Sequence, residues 1–406
     1  MAAKAKLAVG IDTGSSRTRC VICEVDEGEI RFLGAGSAPS QGWNRGRIDD
    51  GPALVASIKS AVEEAETNAQ ALIESAVIGM GGPAVEATQG RGVYEFSRPR
   101  QLEARDLTYA VELASRAQLA EDRTLIHVLP QDFALDGKPG YRRPVGAECS
   151  RLEAHAQLIT SSHTEHQRLI QIFHQAHLAV EETVFEPIAS AYASILPEER
   201  TRGVALVDLG AHSTGVAIYD GEALVGAASL PISADHLTRD VTLGLRMSYG
   251  LSVSYEVAEV LKCEYGCAML GMSADNALIE VPSPEGRSAQ EITRRQLNEI
   301  IEARAEEVFR FVRRELMRAG MENSLLEGVF LTGGGARLQG ICDLAEMVLN
   351  APAKYALAVG IEDWPDKLHD PAWTTAAGLA MYSGRLRLRR SGGRRKPPGP
   401  FGVFGW

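Results

Sequence analysis

Two turns that combine aspartate, glycine and hydroxyl residues recur along the sequence. Asp12-x-Gly14 reappears as Asp208-x-Gly210, and each copy lies between two apolar runs, which is typical of a β-hairpin. Thr18 and Thr214 are separated by the same number of residues as Asp12 and Asp208. The repeat predicts two copies of one α/β unit, one in each half of the chain, with a cleft between them.

The chemistry that fits these turns is the binding of phosphate together with a metal ion. Glycine lets backbone N–H groups approach an anion without a Cβ in the way, and hydroxyl groups add further donors. Such hydroxyl groups are those of Ser15, Ser16, Thr18, Ser213 and Thr214. Asp12 and Asp208 would repel phosphate unless a cation lay between them, and Mg²⁺ accepts carboxylates together with phosphate oxygens. The paired turns therefore predict a clamp for a magnesium–nucleotide complex.

A third glycine-rich element lies in the second half. Residues 331–337 read Leu-Thr-Gly-Gly-Gly-Ala-Arg and predict a strand, a turn over Gly333, Gly334 and Gly335, and a helix start. Glycines let a flat base or ribose approach the backbone, and helix N-termini attract phosphate. The alternative is an ordinary strand-to-helix turn. The sequence has no G-x-x-x-x-G-K-S/T motif, which excludes a P-loop site.

Composition and charge limit the possible functions. The 406 residues are 45% hydrophobic and 23% charged, which is ordinary for a folded chain of two or three domains. The net charge is −11, although the charged residues after Asp370 are all basic: Arg385, Arg387, Arg389, Arg390, Arg394, Arg395 and Lys396. The rest of the chain, without these seven residues, is strongly acidic. It is poorly suited to bind nucleic acid, because phosphate contacts need clustered lysine and arginine. No apolar run reaches the ~18 residues of a membrane span.

Two further patterns bear on the compartment. The six cysteines are too few for a disulfide scaffold, and Cys20-x-x-Cys23 lies in a predicted strand, where positions i and i+3 point to opposite faces. We therefore predict buried thiols rather than a redox pair. We also expect no cleaved signal peptide, because the first residues lead into an apolar strand without a small-residue cleavage site.

The order of predicted elements divides the chain into regions. Strand and helix patterns assign residues 1–83, 162–200 and 358–383 to a first half, and residues 201–232 and 298–357 to the core of a second half. We expect a small α+β insertion at 84–161, an outer subdomain at 233–297, and a disordered basic and aromatic tail at 384–406. Residues 163–180 predict one amphipathic helix, and the glycine–proline cluster at 79–83 predicts a domain boundary.

The two aspartate turns, the triple-glycine turn and two alanine-rich segments together resemble the actin/Hsp70/sugar-kinase ATPase superfamily. Residues 185–193 and 374–380 resemble the two helices that connect the halves, where small side chains permit a close crossing. The resemblance implies an α/β chain with a duplicated, actin-like (ribonuclease H-like) ATPase fold. Two halves would enclose a nucleotide cleft, with the small α+β insertion as an added subdomain.

Three stretches are similar more specifically to the FtsA family of bacterial cell-division proteins. Residues 127–137 with 146–160 resemble its insertion domain, residues 277–283 its second-half subdomain and residues 331–340 its adenosine loop. The resemblance implies a structural adaptor that binds ATP with Mg²⁺ and hydrolyses it weakly at most. It also implies self-assembly into protofilaments, and binding of the FtsZ C-terminal peptide and of later division proteins. The division ring would thereby be tethered, at the septum, to the inner face of the cytoplasmic membrane.

The resemblance also assigns roles to individual residues. Asp12 and Asp208 would lie near Mg²⁺, through water, and Glu186 lies where some relatives place a catalytic carboxylate that orients water. Arg294 and Arg295 are candidate contacts for the FtsZ peptide. The residues expected at ATP are Asp12, Thr13, Gly14, Ser15, Ser16, Thr18, Asp208, Gly210, Ser213, Thr214, Glu259, Lys262, Gly333, Gly334, Gly335 and Arg337.

The second phosphate turn departs from the family pattern D-I-G-G-G-T-T. Residues 208–214 read Asp-Leu-Gly-Ala-His-Ser-Thr, so Ala211 and His212 replace two glycines. Alanine resists a positive φ, and histidine adds bulk where phosphate would approach. Either His212 points outward or donates to a phosphate, or the turn binds nucleotide poorly and the chain is a nucleotide-free scaffold. A superfamily kinase is a further alternative, although no segment supplies a catalytic base beside a substrate pocket.

The C-terminal tail departs as well, because the family usually ends in an amphipathic helix. Glycines and prolines over residues 392–400 are incompatible with a continuous helix. The seven cations would still be attracted to an anionic membrane surface, where Phe401, Phe404 and Trp406 would bury their rings. The alternative is a solvated, flexible end.

Overall fold

The computed structural model of the chain describes residues 6–26, 28–116, 120–282 and 290–391. The first half opens with the antiparallel strands β1 (Lys6–Thr13), β2 (Arg17–Asp26) and β3 (Glu29–Pro39). A short hairpin of β4 (Trp43–Asn44) and β5 (Arg47–Ile48) precedes helix α1 (Gly51–Ala69) and strand β6 (Ser75–Met80). Helix α1 begins after Asp50, whose side chain accepts a hydrogen bond from the N–H of Ala53 at 3.0 Å. The predicted first hairpin is therefore present.

An inserted subdomain follows β6. It comprises strand β7 (Val85–Gln101), helix α2 (Ala104–Arg116) and strands β8 (Arg123–Leu135), β9 (Lys138–Tyr141) and β10 (Glu148–Ser162), with the sheet order β7-β10-β8-β9. Apolar residues of α2, such as Leu107 and Val111, share a buried core with Phe133 and Leu152 of the sheet. The α+β character predicted for this region is confirmed.

The chain then returns to the first half through α3 (His163–Gln175), β11 (Ala179–Phe185), α4 (Glu186–Ser194) and α5 (Pro197–Arg200). The single helix predicted over residues 163–180 was wrong, because α3 ends at Gln175. The backbone of His177 is left-handed, with φ of 66°, and Leu178 is buried. The chain can therefore reverse at once into β11, which pairs in parallel with β6.

The remaining elements form the second half, apart from the last helix, which returns to pack against the first sheet. These are β12 (Val204–Leu209), β13 (Thr214–Asp220), β14 (Ala223–Leu230), α6 (Ala234–Tyr249), α7 (Tyr255–Tyr265), β15 (Leu278–Val281), β16 (Gln290–Thr293), α8 (Arg294–Arg318), β17 (Gly328–Thr332), α9 (Ile341–Leu349), β18 (Ala353–Tyr355) and α10 (Thr374–Ser391). Helix α8 begins four residues before residue 298, where the second-half core was predicted to resume, because the Thr293 hydroxyl and the Gln296 side chain cap its first turn reciprocally.

The two halves repeat one topology. The first sheet has the order β11-β6-β1-β2-β3, and the second has the order β18-β17-β12-β13-β14. In each sheet an antiparallel hairpin, β1–β2 or β12–β13, lies beside a parallel neighbour, β6 or β17. The duplication predicted from the two aspartate turns is therefore confirmed, and the turns occupy equivalent places in the two sheets.

Helices α4 and α10 cross closely between the halves. A Cβ added at Gly378 of α10 would overlap the carbonyl of Ala189 in α4, so the two backbones are in contact at this point. The hydroxyl groups of Ser190 and Thr375 lie 2.9 Å apart at the same crossing. Alanine in both segments and Gly378 in α10 therefore serve the close crossing that the composition predicts.

The disordered tail predicted from residue 384 was wrong for residues 384–391, which continue α10. Leu386 is buried, Leu388 packs on the core beneath α10, and Arg387 forms an ion pair with Glu181 of β11. These contacts with the first sheet prolong the helix. The side chains of Arg389 and Arg390, and residues 392–406 with Arg394, Arg395, Lys396, Phe401, Phe404 and Trp406, lie outside the described residues. Within the described ranges, no helix combines the length and apolar character needed to cross a membrane.

Both cysteines of the C-x-x-C motif are buried in β2. Cys20 belongs to the core beside α1, whereas Cys23 belongs to the core beneath α10. Burial raises the pKa of Cys23 to about 12 and raises the pKa of Cys20 as well. The two thiols therefore face opposite sides of the strand, as predicted, and do not form a redox pair.

Candidate nucleotide site

A cavity of about 510 Å³ lies between the two halves, where β1 and β12 end. Both aspartate turns, the triple-glycine turn and helix α7 contribute to its wall. The predicted residues that line it are Asp12, Thr13, Gly14, Ser15, Ser16, Glu186, Asp208, Gly210, Ser213, Glu259, Lys262, Gly333, Gly334, Gly335 and Arg337. Segments far apart in the sequence thus converge on one site.

Thr18 and Thr214 do not line this cavity, contrary to the expectation that they contact phosphate. Both are fully buried at the start of the returning strand of each hairpin. The hydroxyl oxygen of Thr18 lies 2.7 Å from that of Ser40, and the hydroxyl of Thr214 donates to the Ile232 carbonyl at 2.7 Å. Their hydroxyl groups hold the turns in place instead.

Acidic side chains converge at the centre of the site. Burial raises the pKa of Asp12 to about 6, although Arg19 and a backbone N–H bond from Gly14 oppose this shift. Burial and the charge of Asp12 raise the pKa of Asp208 to about 7. Burial, followed by the charges of Asp12 and Asp208, raises the pKa of Glu186 well above its usual range. A divalent cation would remove this mutual repulsion, and hard carboxylate oxygens are ligands that Mg²⁺ accepts.

Glu186 is the first residue of α4, and its carboxyl lies against the loop after β6. A Cβ added at Gly79 would lie 3.0 Å from Cγ of Glu186, and one added at Gly81 would overlap the carboxyl group. Residues 79 to 82 also line the cavity. The glycine cluster read as a domain boundary is therefore also a wall of the site, and its glycines make room for Glu186.

Arg19 is a site residue that the sequence analysis missed. It stands opposite Asp12 in the β1–β2 pairing, and its Nη1 lies 3.9 Å from Oδ2 of Asp12. Its guanidinium lies 5.6 Å from the ring centre of Trp373, and burial lowers its pKa. Residues directly opposite in an antiparallel pair share one face. The hairpin register alone would therefore have placed Arg19 in the site.

Ion pairs also hold parts of the cavity wall. Nζ of Lys262 lies 2.6 Å from Oε2 of Glu259 and donates to the hydroxyl of Thr238 at 3.0 Å. Nε of Arg337 lies 2.9 Å from both carboxylate oxygens of Asp370. The triple-glycine turn leads into a single 3₁₀ turn, and α9 begins only at residue 341 rather than near 338. Lys262 and Arg337 are thus fixed at the cavity wall before any ligand binds.

The altered second phosphate turn is accommodated without backbone strain. Neither Ala211 nor His212 has a positive φ. His212 is half-buried and lines the cavity, and its Nδ1 accepts a hydrogen bond from the backbone N–H of Gly46 at 3.1 Å. The imidazole ring is thus not turned to solvent. It reaches across the cleft and accepts a hydrogen bond from the first half.

Arg294 and Arg295 lie apart from the cavity, at the start of α8. Nε of Arg294 donates to the Tyr265 carbonyl at 2.7 Å, and Nη2 donates to Oε1 of Gln339 at 2.7 Å. Nε of Arg295 donates to Oε1 of Glu299 at 3.0 Å. Arg295 is exposed and Arg294 is partly exposed, and their predicted role in peptide binding stays a prediction.

Two family models match the chain. The model described as "Cell division protein FtsA" matches residues 205–378, and the one described as "SHS2 domain inserted in FTSA" matches residues 82–160. The cell division protein FtsA of Pseudomonas aeruginosa is 31% identical over 93% of this chain and 89% of its own length. The FtsA of Borreliella burgdorferi is 32% identical over 93% of this chain and 90% of its own length. The chain belongs to the FtsA family of cell division proteins.

Solved structures with lower identity agree in fold. A protein of the PilM-PilN type IV pilus biogenesis complex has a TM-score of 0.65 at 18% identity, covering 93% of this chain and 98% of that one. MreB5 of Spiroplasma citri bound to AMPPNP has a TM-score of 0.59 at 12% identity, covering 96% of this chain and 99% of that one. These likenesses confirm the actin-like α/β fold, and the match of the inserted SHS2 domain confirms the added subdomain.

Proposed function

We propose that this FtsA-family chain binds ATP with Mg²⁺ in the cavity between its halves and acts as a structural adaptor of cell division. The observation that carries the proposal is the convergence of Asp12 and Asp208, from the repeated hairpins, and of Glu186, from α4, on one cavity of about 510 Å³. In this proposal the adaptor polymerises, binds the FtsZ C-terminal peptide and later division proteins, and anchors the septal ring at the inner face of the cytoplasmic membrane.

The metal would lie between the two aspartates and the phosphates. Within the described residues, no group of three or more histidine, cysteine, aspartate or glutamate side chains could hold a metal ion. We therefore assign Mg²⁺ to Asp12 and Asp208 with water and phosphate oxygens as its other ligands, which is the usual mode for this ion. There the cation would offset the charge that phosphate brings next to the carboxylates.

Weak hydrolysis is part of this proposal, with Glu186 as the carboxylate that would orient water. Burial, followed by the charges of Asp12 and Asp208, raises the pKa of its carboxyl above the usual range in the protein without metal. ATP is then mainly a ligand that stabilises the closed arrangement of the halves, which suits an adaptor.

Membrane attachment would rest on the basic and aromatic C-terminal end. Arg385 is exposed on α10, and its guanidinium carbon lies 4.9 Å from the ring centre of Tyr192. Arg387 is withdrawn from the proposed membrane set, because its guanidinium pairs with Glu181. The remaining set is Arg385, Arg389, Arg390, Arg394, Arg395, Lys396, Phe401, Phe404 and Trp406. Each cation near an anionic leaflet contributes about 1 kcal/mol to binding.

Equilibrium binding of a fluorescent ATP analogue tests the nucleotide site. We expect tight binding with Mg²⁺, much weaker binding with EDTA, and loss of the Mg²⁺ effect in Asp208→Asn. The matched control is Asp26→Asn, an exposed aspartate at the far end of β2. Absence of binding under every condition would instead favour the nucleotide-free scaffold.

Co-sedimentation with vesicles tests the adaptor. The full chain is compared with a chain that ends at Ser391, in the presence of FtsZ and ATP, on anionic and on neutral vesicles. We expect the full chain alone to carry FtsZ down, and only on anionic vesicles. Charge reversal of Arg294 and Arg295 together should lower FtsZ recovery without lowering recovery of the chain, and unchanged FtsZ recovery would remove these residues from the proposal.

A further inference from the structure

The latch hairpin, defined as residues 43–48 of β4, its turn and β5, belongs to the first half but faces the second phosphate turn. Trp43, Gly46 and Ile48 of this hairpin line the cavity. Nδ1 of His212, in the second phosphate turn, accepts the backbone N–H of Gly46 at 3.1 Å. This hydrogen bond joins the two halves beside the phosphate turns, whereas α4 and α10 join them at the hinge.

Arg168 of α3 holds the end of the latch hairpin in place. Nη1 of Arg168, on α3, donates to the Ile48 carbonyl at 2.7 Å, and Nη2 donates to the Asp49 carbonyl at 3.2 Å. Gly46 has a φ of 74°, and a Cβ added there would lie 2.8 Å from Cδ of Pro83. The left-handed φ and the contact with Pro83 fix the orientation of the Gly46 peptide group. Its N–H therefore points at His212.

We infer that His212 is a positioning residue that latches the two halves together across the phosphate end of the cavity and thereby slows release of bound nucleotide. The inference rests on the proposed function, because it needs a nucleotide in the cavity. Release requires the halves to separate, and separation breaks the hydrogen bond between His212 and Gly46. A glycine at position 212 has no side-chain acceptor, so a turn with the usual family pattern lacks this bond.

Release of a fluorescent ATP analogue from the full chain with Mg²⁺, followed by stopped flow, tests the latch. His212→Ala removes the acceptor, and we expect release about fivefold faster, which corresponds to one hydrogen bond of ordinary net strength. His212→Asn restores an acceptor oxygen near the position of Nδ1, and we expect release within about twofold of wild type. The control is His174→Ala, an exposed histidine on α3, which should release at the wild-type rate.

A second variant removes the latch from the other half. Arg168→Ala frees the latch hairpin without altering the phosphate turns, and we expect faster release again. If both residues act through one contact, the double variant releases no faster than the faster single variant. Thermal unfolding of each variant shows that the fold is retained.

Three results would overturn the inference. Release from His212→Ala at the wild-type rate removes the latch while leaving the nucleotide site intact. Equally fast release from His212→Asn and His212→Ala assigns His212 to a phosphate contact instead. A wild-type chain that binds no nucleotide overturns both the latch and the proposed function, so that the two failures are distinguishable.

Discussion

Arg19 and Asp12 face each other across the first hairpin, with Nη1 of the arginine 3.9 Å from Oδ2 of the aspartate. The distance is too long for a hydrogen bond between them. The guanidinium therefore faces both a carboxylate and the cavity where phosphate is proposed to bind. It offsets part of the acidic charge at the centre of the site and leaves donors for a second anion.

The first prediction concerns this arginine. Arg19→Met keeps an apolar stem in the site but removes the charge and its donors. We expect Mg–ATP affinity to fall by about tenfold to a hundredfold, the range of a charged hydrogen bond. Isothermal titration calorimetry measures the change, with Arg31→Met, an exposed arginine on β3, as the control. Unchanged affinity in Arg19→Met would place the phosphates elsewhere.

The second prediction concerns pH. Aspartates titrate near about 4 in an unfolded chain, whereas burial raises the pKa of Asp12 to about 6 and that of Asp208 to about 7. Between these values the folded protein holds protons that the unfolded chain has lost, so the free energy of unfolding falls as pH rises. Without metal or nucleotide, we expect the wild type to lose roughly 2 kcal/mol more than Asp208→Asn between about pH 5 and about pH 7.5.

Urea unfolding at both pH values measures this difference. Other titratable groups also make the free energy of unfolding depend on pH. Their contribution is the same in both proteins and cancels when the two are compared. Mg–ATP should raise the stability of the wild type more at the higher pH, because the cation favours the ionised carboxylates. Parallel pH profiles for wild type and Asp208→Asn would contradict the assigned burial of the acidic centre.

The third prediction concerns the hinge. Gly378→Ala places a Cβ against the Ala189 carbonyl, so α4 and α10 must move apart. We expect a loss of about 1 to 3 kcal/mol in the free energy of unfolding, the usual cost of overpacking. Gly51→Ala is the control, because its added Cβ meets only Ile172 at an ordinary 3.9 Å. A Gly378→Ala protein as stable as wild type would show that the crossing is looser than described.

The fourth prediction concerns the end of α10. A chain that ends at Ser383 loses buried Leu386 and the ion pair of Arg387 with Glu181, whereas a chain that ends at Ser391 keeps both. We expect the shorter chain to be less stable by about 2 kcal/mol or more, since burial of one leucine contributes this much. Thermal melting compares the two. Equal melting temperatures would show that residues 384–391 do not stabilise the fold and belong to the flexible tail.

The sequence alone determined the features that arise from short stretches of chain. The Asp-x-Gly repeat predicts two like hairpins because both copies carry the same turn residues between apolar runs. The apolar spacing of Leu54, Ile58 and Val62 predicts α1, and the small residues around Gly378 predict a close helix crossing. Local conformational preference and side-chain size decide such features, so they can be read without knowledge of distant neighbours.

Only the tertiary structure decided which distant groups meet. Glu186 enters the site because glycines more than a hundred positions earlier leave room for it, and His212 finds its partner in a hairpin of the other half. Residues 384–391 are helical because the first sheet buries Leu386, although their composition alone favours disorder. In each case the deciding free energy comes from burial, charge or a hydrogen bond between segments far apart in the chain, which no local pattern contains.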